Sequence, residues 1–98
     1  MITKITGNEL SNVYKEYKAL LVFSAEWCGA CHSLLDTFKK SYSDTQVKVF
    51  NIDIGNEDDI VSKLNIKSLP TIIAFKNGEE IGRMENYQSI HNILAMFN

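Results

Sequence analysis

The sequence has few of the residues that interrupt regular structure. Pro70 is its only proline, five glycines are spread over 98 residues, and no repeat or low-complexity tract is present. Nothing in the composition marks a linker between two folding units. Because 98 residues with 45% apolar composition are enough for one hydrophobic core, we expect a single domain over residues 1–98.

Positive charge and long apolar runs are scarce as well. Ten Lys and Arg against twelve Asp and Glu give a net charge of -2, and the basic residues form no cluster. No segment approaches the roughly 20 apolar residues of a membrane-spanning helix, and residues 1–7 lack the apolar run of a signal peptide. These features argue against nucleic-acid binding and membrane insertion, and they favour a cytoplasmic location.

Cysteine is limited to Cys28 and Cys31, which are separated by two residues. In a reducing cytosol such a pair is expected to be catalytic or metal-binding and not a structural staple. Zinc normally takes four ligands, and His32 is the one further candidate nearby, so a zinc site would need a second chain. We therefore expect no metal site. Burial as two inert thiols is the plain alternative.

Five short segments have the pattern of β-strands. The run Leu20-Leu21-Val22-Phe23 is apolar at every position, which is typical of a strand buried on both faces in the centre of a sheet. Asn77-Gly78 predicts a two-residue hairpin turn, because both turn positions need positive φ. The predicted strands cover residues 2–5, 19–24, 47–52, 71–75 and 80–84.

Four helical segments alternate with these strands. In the first, Leu10, Val13 and Tyr17 follow one another at helical intervals. The resulting order, β-α-β-α-β-α-β-β-α, predicts an α/β fold with a central mixed sheet and helices on both faces. The predicted helices begin at the capping box of Thr6 and Glu9, at the cysteine motif, at Asn56 and at Ser89.

The segment Cys28-Gly29-Ala30-Cys31 suits thiol-disulfide exchange, which needs a thiolate nucleophile and a second thiol within reach. At a helix N-terminus Cys28 would face unpaired backbone N–H groups and the positive end of the helix dipole, and both stabilise a thiolate. Cys31, one turn further, would be more shielded. We therefore expect Cys28 to attack a substrate disulfide and Cys31 to resolve the mixed disulfide, while Gly29 leaves room for the substrate chain.

Four short segments are considered together, in their order along the chain: Ala25-Glu26-Trp27-Cys28-Gly29-Ala30-Cys31, Asn51-Ile52-Asp53, Ser68-Leu69-Pro70-Thr71 and Lys76-Asn77-Gly78. With them the sequence resembles the thioredoxin family over nearly its whole length. The resemblance implies the thioredoxin fold and the reduction of disulfides in substrate proteins. It also implies that a thioredoxin reductase supplies the electrons and that no bound cofactor is needed. A monomer is the default, since nothing in the sequence indicates an obligate interface.

The resemblance implies roles for residues around the cysteines. In this family the proline before the penultimate strand is cis and lies against the cysteine pair, so the Leu69–Pro70 peptide is expected to be cis. The backbone of Leu69 would pair with the substrate chain. Trp27 would form the neighbouring rim of the groove, which Gly29 and Ala30 would also line. The alternative for Trp27 is a place in the core, as for many large aromatic residues.

The sequence departs from the family pattern in the sheet. Val22 and Val49 stand where a buried Asp and its Lys partner are usual. Losing both residues together removes an ion pair without stranding either charge, so stability should suffer little. The family's Asp is taken to deprotonate the resolving cysteine. We therefore expect that Cys31 resolves more slowly near neutral pH, with water or Glu26 as the proton acceptor.

Two further departures lie beside the groove. Ala30 replaces a proline, and its backbone N–H, which proline lacks, would donate a hydrogen bond toward the Cys28 thiolate. Stabilising the reduced form in this way predicts a somewhat more oxidising couple than that of a typical thioredoxin. Asn86 replaces a glycine of the docking surface, which predicts a different range of partners.

Other functions on the same fold stay open at this stage. A disulfide oxidase or isomerase would have a higher reduction potential, and a redox-inert binding module would use the groove of Trp27 and Pro70 without chemistry. The lack of a signal peptide argues against the first, and the presence of both cysteines argues against the second. His32 is expected to be solvated or packed on its helix, where it would tune the thiolates slightly, and His91 to lie on the surface.

Overall fold

The structure, a computed structural model, describes residues 2–42 and 46–98. Its strands and helices follow the order predicted from the sequence. Short 3₁₀ turns cover Gly7–Glu9 and Ala95–Phe97. The strands are β1 (Ile2–Ile5), β2 (Lys18–Ser24), β3 (Lys48–Asp53), β4 (Thr71–Lys76) and β5 (Glu79–Glu85), and the helices are α1 (Leu10–Tyr14), α2 (Gly29–Ser41), α3 (Asp58–Lys63) and α4 (Ile90–Leu94).

The five strands form one mixed sheet in the order β1-β3-β2-β4-β5. Strands β1 and β2 both run parallel to β3, whereas β4 is antiparallel to β2 and β5 is antiparallel to β4. Helices α1 and α3 pack on one face, and α2 and α4 pack on the other. The α/β fold with a central mixed sheet flanked on both faces is therefore confirmed.

Strand β2 supplies side chains to the cores on both faces of the sheet. Leu21 and Phe23 join the cluster that includes α1, whereas Leu20 and Val22 join the cluster that includes α2 and α4. All four side chains are fully buried. This alternation is the pleat of a strand with no solvent-facing side, as the unbroken apolar run predicts.

The turn between β4 and β5 also confirms its prediction. Asn77 and Gly78 have φ values of 53° and 83°, the positive angles that a two-residue hairpin requires at both positions. Ser89 caps α4 as predicted, because its side chain accepts a hydrogen bond of 3.1 Å from the backbone N–H of Asn92. The capping box of Thr6 and Glu9 is present too, but it precedes a 3₁₀ turn rather than an α-helix.

Two local predictions were wrong. Tyr17 lies outside α1, which ends at Tyr14, and its exposed ring contacts the ammonium groups of Lys18 and Lys76 at 5.6 and 5.5 Å. Asn56 does not begin α3, because its φ of 64° is a left-handed turn conformation and not the extended backbone of an N-cap. The N-cap of α3 is Glu57, and the helix begins one residue later.

Val22 and Val49, at the positions where the resemblance implies a buried ion pair, lie in the core between the sheet and α2. Val22 and Val49 are both buried in the same cluster. Val22 is opposite Asn51 and Leu20 is opposite Val49 in the parallel pairing of β2 with β3, so the two valines are diagonal neighbours on one face. An isolated charge at either position would have no partner there.

We therefore expect Val22→Asp to lower the free energy of unfolding by about 3–5 kcal/mol at neutral pH, because a buried carboxylate without a counter-ion is strongly destabilising. Adding Val49→Lys to this variant should recover part of the loss. Urea denaturation of the two single variants and the double variant, all in the disulfide form, measures the coupling. A double variant as unstable as the sum of the singles would contradict the proximity of the two sites.

Candidate active site

The cysteine motif lies where the central strand β2 gives way to helix α2. Cys28 is the N-cap of α2, with φ of -94° and ψ of 102°, and its Sγ accepts a hydrogen bond of 3.2 Å from the backbone N–H of Cys31. N-cap side chains typically accept from the N–H groups two or three residues into the helix, which otherwise have no partner. The prediction that a helix begins at the motif is therefore confirmed.

Cys28 and Cys31 are joined by a disulfide, with their Cα atoms 5.3 Å apart. Cys28 is 8% exposed and Cys31 is 0% exposed. The first cysteine is thus the more accessible of the two, as predicted, although most of its surface is covered. Among the described residues, no three His, Cys, Asp or Glu side chains are grouped so that they would hold a metal ion.

A small apolar cluster surrounds the disulfide. It consists of Ala25 and the two cysteines, and the half-buried side chains of Ile54 and Leu69 pack against it. The Leu69–Pro70 peptide is cis, as the resemblance implies, and Pro70 is buried. Ile54 was not among the predicted site residues. Its position directly after β3 was the available signal, because the parallel strands β2 and β3 end at the same edge of the sheet.

Trp27 is 78% exposed, so its alternative placement in the core is wrong. Its side chain lines an open cleft of about 690 Å³ beside the disulfide loop. Gly29 and Ala30 are exposed, and a Cβ atom built on Gly29 would have no neighbour within 4 Å. The surface in front of the first turn of α2 is therefore open. Charged residues that line the cleft are Lys4, Glu26, Asp53, Glu57 and Asp58.

The expected hydrogen bond from Ala30 to Cys28 is not formed in this disulfide state. The hydrogen bond to Cys28 Sγ comes from Cys31, the third residue of the helix, and not from Ala30, the second. An N-cap side chain is able to reach either position. Here the sulfur lies toward Cys31, to which it is also covalently bonded.

His32 makes a contact that sequence analysis did not anticipate. Its Nε2 atom lies 2.7 Å from the backbone carbonyl of Glu26, so this nitrogen must carry the proton and donate it to the carbonyl oxygen. The imidazole thus connects the first turn of α2 with the segment that leads into Cys28. His91 is exposed on α4, as expected.

The buried polar side chains of the described residues are all neutral: Ser24, Asn51 and Thr71. Asn51 Nδ2 donates hydrogen bonds to the carbonyl of Val22 at 3.0 Å and to Ser24 Oγ at 2.7 Å. Glu26 is exposed. Within the described ranges, therefore, no carboxylate is buried next to Cys31 to accept its proton.

Comparison with known proteins places this geometry in one family. The family model described as Thioredoxin matches residues 2–98. The chain is 35% identical over 103 residues to thioredoxin from Mycoplasma genitalium, covering 100% of this chain and 99% of that protein. It is 31% identical over 103 residues to thioredoxin from Rickettsia prowazekii, covering 100% and 97% of the two chains.

Solved structures give the same answer for the fold. A mutant thioredoxin from Halobacterium salinarum superposes with a TM-score of 0.88 at 24% identity, covering 97% of this chain and 86% of the other. Reduced thioredoxin from Schistosoma mansoni has a TM-score of 0.82 at 26% identity, covering 97% and 93%. Together with the Cys28–Cys31 disulfide at the start of α2, these matches show that the chain belongs to the thioredoxin family of protein-disulfide oxidoreductases.

Proposed function

We propose that this protein reduces disulfides in substrate proteins, with Cys28 as the nucleophile and Cys31 as the resolving cysteine. The observation that carries the assignment is the asymmetry of the pair. Cys28 is the N-cap of α2 and retains exposed surface, whereas Cys31 lies inside the helix and is fully buried. A substrate sulfur approaching from solvent therefore meets Cys28 first.

The reaction begins with the reduced pair. The Cys28 thiolate attacks one sulfur of the substrate disulfide and displaces the other as a thiolate, which leaves a mixed disulfide. The Cys31 thiolate then attacks Cys28 Sγ, which forms the intramolecular disulfide and releases the second substrate sulfur. Two electrons pass from the cysteine pair to the substrate, and the two thiolates released take up protons. A thioredoxin reductase would return two electrons to the oxidised pair.

Helix α2 provides the electrostatic assistance to the first step. Its 13 residues align their peptide dipoles into a partial charge of roughly +0.5 at the N-terminus, where Cys28 lies. The hydrogen bond from the Cys31 N–H to Cys28 Sγ acts in the same direction, because an N–H donor stabilises a thiolate. Both contributions stabilise the Cys28 thiolate, which is the attacking species.

The substrate chain would bind across the open surface beside the disulfide. The backbone of Leu69 would pair with the substrate chain, and the buried Pro70 would support the docking loop, residues 64–70 between α3 and β4. The exposed ring of Trp27 would form the opposite rim, with Gly29 and Ala30 leaving space between them. The packing of Leu69 against the disulfide cluster supports this arrangement, because it brings the docking loop next to the reacting sulfur.

We propose that water accepts the proton of Cys31 before the resolving step. The buried polar residues near the motif are neutral, and Val22 occupies the position of the family's carboxylate. Glu26 is exposed, and His32 contacts its backbone carbonyl and not its carboxylate. Resolution should therefore be slower near neutral pH than in a protein with a buried base.

Each helix within residues 2–42 and 46–98 is too short or too polar to span a lipid bilayer.

We further propose that residues 1–98 act as one thioredoxin-like domain and as a monomer in the cytoplasm. There the protein would carry electrons from its reductase to substrate proteins and so contribute to cellular redox homeostasis. The acidic net charge of -2 gives no reason to expect a nucleic-acid partner.

An equilibrium redox titration in dithiothreitol or glutathione buffers, followed by Trp27 fluorescence and thiol trapping, tests the proposed function. We expect a reversible two-electron transition somewhat above the roughly -270 mV typical of thioredoxin. A value between about -180 and -120 mV would indicate an oxidase or isomerase instead. A protein with no transition would be a redox-inert binding module.

Single-cysteine variants test the assignment of roles. Cys31→Ser should accumulate a mixed disulfide with a disulfide-containing protein, because the step that releases the substrate is lost, whereas Cys28→Ser should form almost none. Mass spectrometry under non-reducing conditions measures both adducts, with the wild type as the control that turns over. Equal trapping by the two variants would contradict the order of attack.

Ala30→Pro tests the effect of the backbone N–H within the motif. Removing this N–H should lower the reduction potential, because the reduced form loses a donor that is free to reach the Cys28 thiolate once the disulfide opens. The same redox titration measures the shift. A potential that stays constant or rises would show that the N–H of Cys31 alone sets the stability of the thiolate.

A further inference from the structure

Side chains of the edge strand β5 reach across to the segment that joins α3 to β4. Arg83 Nη1 donates a hydrogen bond of 2.9 Å to the carbonyl of Leu64. Two residues further along β5, the carboxylate of Glu85 accepts a hydrogen bond from the hydroxyl of Ser68. Alternate residues of a strand project from the same face, so Arg83 and Glu85 both reach this segment, Arg83 at Leu64 and Glu85 at Ser68.

The contact at Arg83 is held in place by a second interaction. Its Nε and Nη2 atoms donate to the two carboxylate oxygens of Glu80, each at 2.8 Å. These hydrogen bonds lower the pKa of Glu80 and raise that of Arg83. A bidentate pair of this kind fixes the plane of the guanidinium, and it leaves Nη1 to hold Leu64.

The contact at Glu85 belongs to a larger set of hydrogen bonds around the loop. The carbonyl of Ser68 accepts a hydrogen bond of 2.6 Å from Thr71 Oγ1, and Thr71 is the register partner of Glu85 in the pairing of β4 with β5. The backbone N–H of Asn86 donates to the carbonyl of Pro70 at 2.7 Å. Ser68 and Pro70, on either side of Leu69, are therefore both bonded to groups at the end of β5.

Leu69 is the residue whose position this arrangement decides. Its side chain packs against the disulfide cluster. The orientation of its backbone N–H and C=O groups therefore depends on how the neighbouring residues Ser68 and Pro70 are held. We infer that Ser68, Arg83 and Glu85 are positioning residues for substrate binding, which hold residues 64–70 so that the Leu69 backbone faces a substrate protein. This inference rests on the proposed function, in which Leu69 pairs with the substrate chain.

Binding of a protein substrate and reactivity of the cysteine pair should depend on different residues. The hydroxyl of Ser68 donates to Glu85 and not to a cysteine sulfur, and the hydrogen bond to Cys28 Sγ comes from the backbone of Cys31. Loss of either side chain should therefore leave the reactivity of the cysteine pair unchanged. A protein substrate must place its main chain beside Leu69, whereas a small aromatic disulfide needs only to reach Cys28. Reduction of the two substrates should therefore respond differently.

The experiment compares Ser68→Ala and Glu85→Ala with the wild-type protein, using insulin as the protein disulfide and dithiobis-nitrobenzoate as the small one. With dithiothreitol as electron donor, KM for insulin should rise about tenfold, equivalent to about 1.4 kcal/mol, while kcat stays within about twofold. The rate with the small disulfide, measured by mixing it with pre-reduced protein from which dithiothreitol has been removed, should not change, and neither should the reduction potential. Glu85→Gln should restore most of the insulin KM, because its amide oxygen still accepts the Ser68 hydroxyl.

Glu79→Ala is the matched control, since Glu79 is an exposed glutamate at the other end of β5. Thermal unfolding establishes that each variant is folded. If Glu85→Ala is not, Ser68→Ala carries the test, because it removes the same hydrogen bond from the other side.

If folded Ser68→Ala and Glu85→Ala had the same KM for insulin as the wild-type protein, the inference would be overturned. So would an equal loss with both substrates, or a changed potential, because these results would indicate a general structural role. If the wild-type protein itself reduced neither disulfide, the proposed function would be wrong and the inference would fall with it. That result is distinct from the others because it requires no variant.

Discussion

The burial of β2 on both faces is the constraint on which the active site depends. Strand β2 has a neighbouring strand on each edge and a hydrophobic core on each face. It ends at Ser24, and there the chain leaves the sheet. The parallel strand β3 ends at the same edge, and the antiparallel strand β4 begins there. Three segments distant in sequence, those carrying Cys28, Ile54 and Leu69, therefore meet around one disulfide, although no two of them are neighbours along the chain.

Among residues 2–42 and 46–98, the buried side chains behind this edge of the sheet include no charged group. At the positions where the family resemblance implies an ion pair, Val22 and Val49 are buried apolar side chains, and such a replacement is often neutral or stabilising in a protein interior. The polar side chains there are neutral, and they are hydrogen-bonded, since Asn51 donates to Ser24 Oγ and to the carbonyl of Val22. The family resemblance implies that the same exchange also removes the group that would accept the proton of Cys31, which is the reason we propose a slower resolving step.

Local patterns predicted what local interactions determine. The unbroken apolar run of β2, the Asn77-Gly78 turn and the capping Ser89 depend on neighbouring residues, and each was confirmed. Tyr17 and Asn56 were misplaced because short turns, and not side-chain periodicity, end α1 and precede α3. The exposure of Trp27 followed from the family resemblance and not from the burial tendency of tryptophan. The hydrogen bonds of His32 and of Ser68 had no sequence signal, because they join atoms that only the folded chain brings together.

Asn86 stands where the family resemblance implies a glycine of the docking surface. Its φ of 68° lies in the left-handed region, which glycine adopts freely and which asparagine tolerates better than most other residues. The backbone at this position therefore follows the path that a glycine would take, and its N–H still bonds to the carbonyl of Pro70. In place of the hydrogen of a glycine, the position carries an exposed amide side chain. We therefore propose that this substitution changes which partners fit, while the backbone bond to Pro70 keeps the loop before β4 in place.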